Sequence, residues 1–216
     1  MTIDDTMKAL HVFADQLLGS DGSGHGMDHV ERVEANAQHL LAETPDADEL
    51  TVRAAALLHD CYDDKLFDDV PAARQRVVNE LNQVGVDETR IKAIMLAIDT
   101  MSYHYSLNHP DVQLSLEGQL VQDADRLDAI GAIGIARAFT YGGAKDRPLY
   151  SKQGPRTELT GANYRQGSDT INHFYEKLLL LADKMNTPAA KKTAAERTTY
   201  MRGFLDQFSA EVRGER

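Results

Sequence analysis

Apolar side chains recur along this chain at intervals of three and four, the spacing that gathers them on one face of an α-helix. Ile3, Met7, Leu10, Phe13, Ala14 and Leu17 form the first such stripe, and Gly19 ends it. Ser20-Asp21-Gly22-Ser23-Gly24 reads as a loop, after which Val30, Val33, Ala37, Leu40 and Leu41 mark a second helix that stops before Pro45. A third helix is predicted from about Ala47 through Leu57 and Leu58 to His59. Pro71–Val84 and Glu88–Ile98 are expected to form a fourth and a fifth, with Gly85 in the turn between them. Gln113–Ala138 is long and rich in apolar residues, and its Gly131 and Gly134 allow either a bend or the close approach of another helix. From Tyr141 to Gly167 the periodicity gives way to Gly, Lys, Arg, Pro, Ser and Tyr, which predicts the longest loop. Two helices close the chain: Asp169–Met185, and one opened by Thr187-Pro188, an N-cap residue followed by proline at the first helical position.

No stretch alternates as a strand would, and there is no solenoid repeat or low-complexity linker. The expectation is an all-α bundle with an irregular long loop before its last two helices. At 216 residues, it is read as one domain over 1–216, its core at about 20–140 and helices 169–213 packing on it. The single cysteine, Cys61, excludes an intramolecular disulfide and a CxxC metal or redox site, and it fits a reducing compartment. The opening Met-Thr-Ile-Asp-Asp carries acids where a signal peptide needs positive charge, and the apolar runs are too short to span a membrane, so a cytoplasmic location is expected. Thirty-four acidic against 23 basic side chains give a net charge of −11. That balance argues against a nucleic-acid polymer as partner, yet allows a small phosphorylated ligand wherever a bound divalent cation reverses the local field. Apolar helices without strands support a homodimer, although the chain is long enough to stand alone.

Three clusters carry candidate chemistry. In the first, His25/His29 and Asp28/Arg32 are i,i+4 pairs on an opening helix. The histidines read either as facing a metal or as a capping residue and a surface residue. In the second, the apolar run Ala54-Ala55-Ala56-Leu57-Leu58 leads straight into His59-Asp60-Cys61-Tyr62-Asp63-Asp64. A buried helix that ends in an imidazole and three carboxylates is explained either by a cation that neutralises them or by an exit into solvent. In the third, Asp123, Asp125 and Asp128 sit in an apolar stretch bounded by Gly118 and Gly131. Asp125 and Asp128 share a helix face, whereas Asp123 lies about 200° around from Asp125, so the three do not converge on one ion in a regular helix. Asp128 is equally read as pairing with Arg126 or another cation.

The order His29, His59-Asp60, Asp125 resembles the H…HD…D pattern of the metal-dependent HD-domain phosphohydrolase superfamily. The surrounding strings GHGMDHVERV, AAALLHDCYDD and SLEGQLVQDADRLDAIGAIGIARAFTYGG, followed by RPLY and INHFYEKL, resemble bacterial stand-alone HD hydrolases over about residues 20–210. The resemblance implies a helical HD domain in which His29, His59, Asp60 and Asp125 are metal ligands. Two imidazoles and two carboxylates suit Mn²⁺ or Mg²⁺ first, with Co²⁺, Fe²⁺, Ni²⁺ and Zn²⁺ also able to use such ligands. Neighbouring side chains of a helix diverge by about 100°, so His59 and Asp60 can share an ion only at a helix end or with the ion between their directions.

Related guanosine-tetraphosphate hydrolases carry an acidic pair at the offset of Asp63 and Asp64, which makes these two the expected catalytic carboxylates, positioning water and accepting its proton. Arg32, one turn after His29, and Lys65, after the acidic pair, are the expected cations for substrate phosphate. Arg126 points away from Asp125 and reads as a core partner. Tyr103-His104-Tyr105 and Lys145, Arg147 and Tyr150 read as ordinary loop packing ahead of a base or sugar pocket. The activity implied is hydrolysis of (deoxy)nucleoside triphosphates to monophosphate and pyrophosphate. A 5′-nucleotidase, a cyclic-nucleotide phosphodiesterase and a metal-binding regulatory module with little turnover are the alternatives.

Overall fold

The computed structural model describes residues 2–19, 26–157 and 168–215. Among them the regular elements are helical and no strand occurs, as the sequence pattern predicts. The chain divides into two compact units, Met1–Asp125 and Arg126–Arg216.

In the first unit, α1 (Ile3–Leu18) starts on a capping box in which the Thr2 hydroxyl accepts from the Asp5 amide and the Asp5 carboxylate accepts from the Thr2 amide. Its buried face is Met7, Leu10, Phe13, Ala14 and Leu18. Ile3 and Leu17, predicted for that stripe, lie exposed and half-buried at its margins. The second helix, α2 (Met27–Ala42), buries Val30, Val33, Ala37 and Leu40.

Next comes α3 (Glu49–Leu58), apolar almost all round, with Val52, Ala54, Ala55, Ala56, Leu57 and Leu58 fully buried. A helix buried on every side must run through the middle of its unit, and α3 packs against both α1 and α2. Each fully buried leucine stabilises by roughly 2 kcal/mol. A polar brace ties the three helices together: the buried Glu34 carboxylate of α2 lies 2.6 Å from His11 Nε2 of α1 and accepts from Arg53 Nε of α3 at 3.1 Å.

The unit continues through α4 (Val70–Gln83), a turn at Gly85 with φ +79, and α5 (Glu88–Met101), which also packs on α3. The expected turn at Gly85 is thus present, in the left-handed conformation that glycine adopts without a steric penalty. A short helix that the periodicity does not reveal, α6 (Tyr103–Asn108), precedes α7 (Leu116–Asp128). Most of α7 belongs to this unit, where Gln122 donates to the Met101 carbonyl at 2.9 Å and Asn36 of α2 donates to the Ala124 carbonyl at 3.1 Å.

In the second unit, the chain breaks at Ala129–Ile130 and re-enters a helix at Gly131, φ +78, to form α8 (Gly131–Ala144). Both options offered by the glycines are realised, since a Cβ on Gly131 would lie 3.0 Å from Arg197 Cγ. The end of α7 is held by arginines: Arg126 donates to the Lys184 carbonyl, Arg197 to the Leu127 carbonyl at 2.6 Å, and Arg137 to the buried Asp128 carboxylate at 2.9 Å. Arg126 is therefore the core partner expected, and Asp128 pairs with Arg137.

The largest departures from the expected boundaries are in this unit, and helix α5 of the first unit also runs on from Ile98 to Met101. Helix α8 runs on to Ala144, so the irregular segment starts at Lys145 and not at Tyr141; residues 158–167 of the expected loop lie outside the described residues. The single helix expected over Asp169–Met185 is instead α9 (Thr170–Glu176) followed by 3₁₀ turns at Leu178–Leu180 and Ala182–Lys184. Its physical cause is the Lys177 backbone, which leaves the helical region at φ −135, ψ −60. The last helix, α10 (Pro188–Val212), opens as predicted, with the Thr187 hydroxyl accepting from the Ala190 amide.

Asp48 fixes the start of α3 in two ways. Its carboxylate accepts from the Thr51 amide at 2.9 Å, and it pairs with Arg90 of α5 at 2.8 Å. Arg90 beside it holds the carboxyl down at about 2 against an ordinary 3.8. The resulting stabilisation is present above the ordinary value and is lost as pH falls through about 2. Asp48→Asn keeps the cap acceptor and removes the charge. In urea unfolding it is expected to cost about 1 kcal/mol at pH 7, after allowance for solvent screening, and to match the wild type below about pH 2.

Candidate metal centre

Three helices of the first unit bring their polar ends together. His29 sits in the first turn of α2, His59 caps the C-terminus of α3, Asp60 follows in the turn, and Asp125 comes from α7. His29 Nε2 and His59 Nε2 face each other at 3.3 Å. Asp125 Oδ1 lies 3.5 Å from His29 Nε2 and 3.9 Å from His59 Nε2. Asp60 reaches both rings with separate oxygens, Oδ2 to His29 Nε2 at 3.6 Å and Oδ1 to His59 Nε2 at 3.5 Å. The donor atoms of His29, His59 and Asp125 all lie within 4.8 Å of one another. The sequence pattern thus meets in space as one cluster, and the helix-end condition for His59 and Asp60 is satisfied because α3 stops at Leu58.

Local chemistry prepares this group for a cation. His59 Nδ1 lies 2.8 Å from the Ala56 carbonyl, which can only accept, so Nδ1 carries a proton and Nε2 is left as the lone-pair nitrogen turned into the cluster. Two ring nitrogens this close, with carboxylates on both sides, call for a shared positive charge. Burial works against protonation of His59, but the Asp60 and Asp125 charges, the Ala56 carbonyl and the Asp63 charge outweigh it and raise the imidazole above its ordinary value. Such electrostatics, together with a nitrogen and oxygen donor set and no thiolate, fit a divalent metal ion. His29, His59 and Asp60 are buried, whereas the Asp125 side chain is one-third exposed. Asp125 is therefore the member of the cluster that solvent reaches.

The other expected site residues are placed less directly. Asp63 is half-buried; its carboxylate accepts from the Lys65 amide at 2.8 Å and pairs with Lys65 Nζ at 3.3 Å. Its amide donates to the Asp60 carbonyl at 3.2 Å, so it sits in the same turn as Asp60. Asp64 and Lys65 are exposed in the same turn. Arg32 donates to Asp28 at 2.7 Å across one turn of α2, and that bond lowers the Asp28 carboxyl. Both expected phosphate-binding cations are thus held by acids of the chain itself.

His25, expected as a companion of His29, lies outside the described residues, and the N-cap of α2 is Gly26 without a side-chain cap. Asp123 is fully buried while Asp125 is not, in keeping with their opposed directions on the helix. Cys61 is buried, and burial pushes its thiol far up, so it packs and does not ionise. Tyr105 stacks on His109, Lys145 and Arg147 lie over the Tyr141 ring, and Tyr150 meets Phe208 edge-on. These are the local packing roles expected of them. Two supports carried no sequence signal: the Ala56 carbonyl that orients His59, and Asn36, which secures the α7 backbone next to Asp125.

A model of the HD domain family matches residues 26–130. Bacillus subtilis YpgQ is 37% identical over 205 residues, which cover 95% of this chain and 93% of YpgQ. The chain belongs to the HD-domain superfamily. A structure of YpgQ in complex with ADP matches this HD-domain protein with a TM-score of 0.79 at 34% identity, over 98% of this chain and 97% of that one. A Lactobacillus plantarum protein matches with a TM-score of 0.86 at 45% identity, over 97% and 98%. An HD-superfamily hydrolase from Bacillus thuringiensis matches with 0.75 at 38%, over 98% and 99%. The fold and the donor set are together those of a metal-dependent phosphohydrolase.

Replacing His59 and Asp60 together with Ala removes two of the four side chains of the cluster. Wild-type protein dialysed against Mn²⁺ is expected to retain the ion and the double variant to lose it, as read by elemental analysis. A normal metal content in a folded double variant would remove both residues from the centre.

Proposed function

We propose that this chain hydrolyses (deoxy)nucleoside triphosphates to monophosphate and pyrophosphate, using a divalent ion, Mn²⁺ or Mg²⁺, held by His29, His59, Asp60 and Asp125. The observation that carries the reading is the two-histidine, two-carboxylate cluster, buried except at Asp125, whose side chain is one-third exposed. The nucleotide class draws support from the ADP complex of YpgQ, a relative aligned over nearly its whole length.

When bound, the ion supplies a Lewis acid beside the phosphoryl group and acidifies the attacking water. The chain's own residues do the rest. Asp63 or Asp64 orients the water and accepts its proton as the new P–O bond forms. The bridge between the α- and β-phosphates breaks, and pyrophosphate leaves with its electron pair. Arg32 and Lys65 exchange their bonds to Asp28 and Asp63 for bonds to substrate phosphate. For Lys65 this exchange also releases Asp63 Oδ2, while Oδ1 keeps its bond to the Lys65 amide, so phosphate binding and exposure of a base oxygen are linked in one turn of chain. No covalent intermediate is needed, because in-line placement and charge stabilisation suffice. With Cys61 buried and its thiol held protonated, the chain offers no thiolate nucleophile beside the cluster.

The test is product analysis. Metal-stripped protein, restored with Mn²⁺ or Mg²⁺, is offered nucleoside mono-, di-, tri- and cyclic phosphates, and pyrophosphate is scored apart from orthophosphate. Metal-dependent pyrophosphate from triphosphates is the expected outcome. Orthophosphate from monophosphates would replace this reading with a nucleotidase, opening of cyclic nucleotides with a phosphodiesterase, and metal binding without turnover with a regulatory module. In the same assay, Asn at Asp63 or at Asp64 is expected to keep the metal and lower the rate by about 10²-fold at the position that handles water; full rates in both variants would contradict the role.

A further inference from the structure

We propose that Tyr62, Asp99 and Arg74 form a positioning clamp for the turn that carries His59, Asp60 and Asp63, and that its integrity sets the affinity of the metal centre. The inference rests on reading that turn as metal-binding.

Three donor or acid side chains lie within five consecutive residues after α3, so small displacements of this segment move all of them at once. Its own backbone bonds are short-range: the Cys61 amide donates to the Leu58 carbonyl at 3.0 Å and the Asp63 amide to the Asp60 carbonyl at 3.2 Å. They set the shape of the turn. They do not set its position against α2 and α7, which bring His29 and Asp125.

Tyr62 reaches out of the turn to a different helix. Its ring is buried, and its hydroxyl donates to Asp99 Oδ1 of α5 at 2.9 Å. Asp99 is in turn gripped by Arg74 of α4, with Nε on Oδ1 at 3.1 Å and Nη2 on Oδ2 at 2.6 Å. That two-pronged pairing fixes the plane of the carboxylate as well as its place. A phenol has few rotatable bonds, so the chain from guanidinium to carboxylate to tyrosine hydroxyl is a stiff link from two helices to the ligand-bearing turn.

Stability alone is a poor reason for this arrangement. Arg74 and Asp99 are more than one-third exposed at their side chains, where an ion pair adds little to folding. The buried ring of Tyr62 would be served equally by phenylalanine. What the hydroxyl adds is direction, the property that outer supports of a metal centre provide.

The experiment compares Mn²⁺ affinity in Tyr62→Phe, Arg74→Gln and the double variant, by titrating metal-stripped protein and following free Mn²⁺ by electron paramagnetic resonance. Metal-free melting temperatures run in parallel, and Arg74→Gln, on the surface, keeps the test open should Tyr62→Phe fold poorly. Tyr62→Phe is expected to bind Mn²⁺ about tenfold more weakly and Arg74→Gln about threefold. The double variant is expected to be no weaker than Tyr62→Phe alone, since the two residues act in series. Wild-type affinity in both single variants, or losses that multiply in the double variant, would overturn the clamp. Because the readout needs no substrate, absence of pyrophosphate release by the wild type would defeat the nucleotide reading and leave the clamp standing. Absence of Mn²⁺ binding by the wild type would overturn both.

Discussion

Two imidazole nitrogens 3.3 Å apart, flanked by the carboxylates of Asp60 and Asp125, cannot be withdrawn from water without a positive charge among them. Most features of the unit Met1–Asp125 follow from meeting that demand. Helix α3 is apolar on nearly every side because it must cross the middle of the unit to bring His59 there. It stops at Leu58, so that His59 and Asp60 can turn toward one point instead of diverging along a continuing helix. The Ala56 carbonyl, still oriented along the helix axis, spends its lone pair on His59 Nδ1 and so leaves Nε2 for the cluster.

A centre buried on all sides would hold an ion and do nothing with it. Here the Asp125 side chain is one-third exposed while the other three residues are buried, so solvent reaches the cluster at that member. The acids and cations proposed for hydrolysis lie in the two segments that border the cluster, the start of α2 and the turn after α3. Their ion pairs, Arg32 with Asp28 and Lys65 with Asp63, fix the direction of these charged side chains. In the proposed reading the overall charge of −11 has a plain counterpart: an acidic chain receives an anionic nucleotide where the positive charge is local and supplied by an ion and two neighbouring side chains.

Much of this was legible in the sequence where a single physical requirement governed the residues. The stripes of α1 and α2 were clear because one face of each is buried and the other wet. Helix α3 stood out because nothing but burial explains a run of alanines and leucines that ends in His59-Asp60. Thr187-Pro188 announced α10 because both residues suit only a helix start. Legibility failed where the pattern was degenerate. Leu178 to Leu181 satisfy any helical register, so they could not report that Lys177 breaks the helix. Helix α6 is too short to show a period. Gly131 was consistent with a bend or a close approach, and it serves both. At the site, residue identities point to the four side chains that cluster in space, but the Ala56 carbonyl and the carbonyl of Ala124 held by Asn36 are backbone atoms, whose use no side-chain pattern records. The Asp28–Arg32 pair is legible as an i,i+4 spacing, whereas the Lys65–Asp63 pair is not, because two residues apart in a turn follow no helical period.

The central claim is that these four side chains exist to hold a divalent ion, and anomalous X-ray scattering from crystals grown with Mn²⁺ tests it most directly. The account predicts a peak in the manganese anomalous map bounded by His29 Nε2, His59 Nε2 and the carboxylates of Asp60 and Asp125. A cluster without a peak at saturating Mn²⁺, or a peak held by other residues, would contradict it.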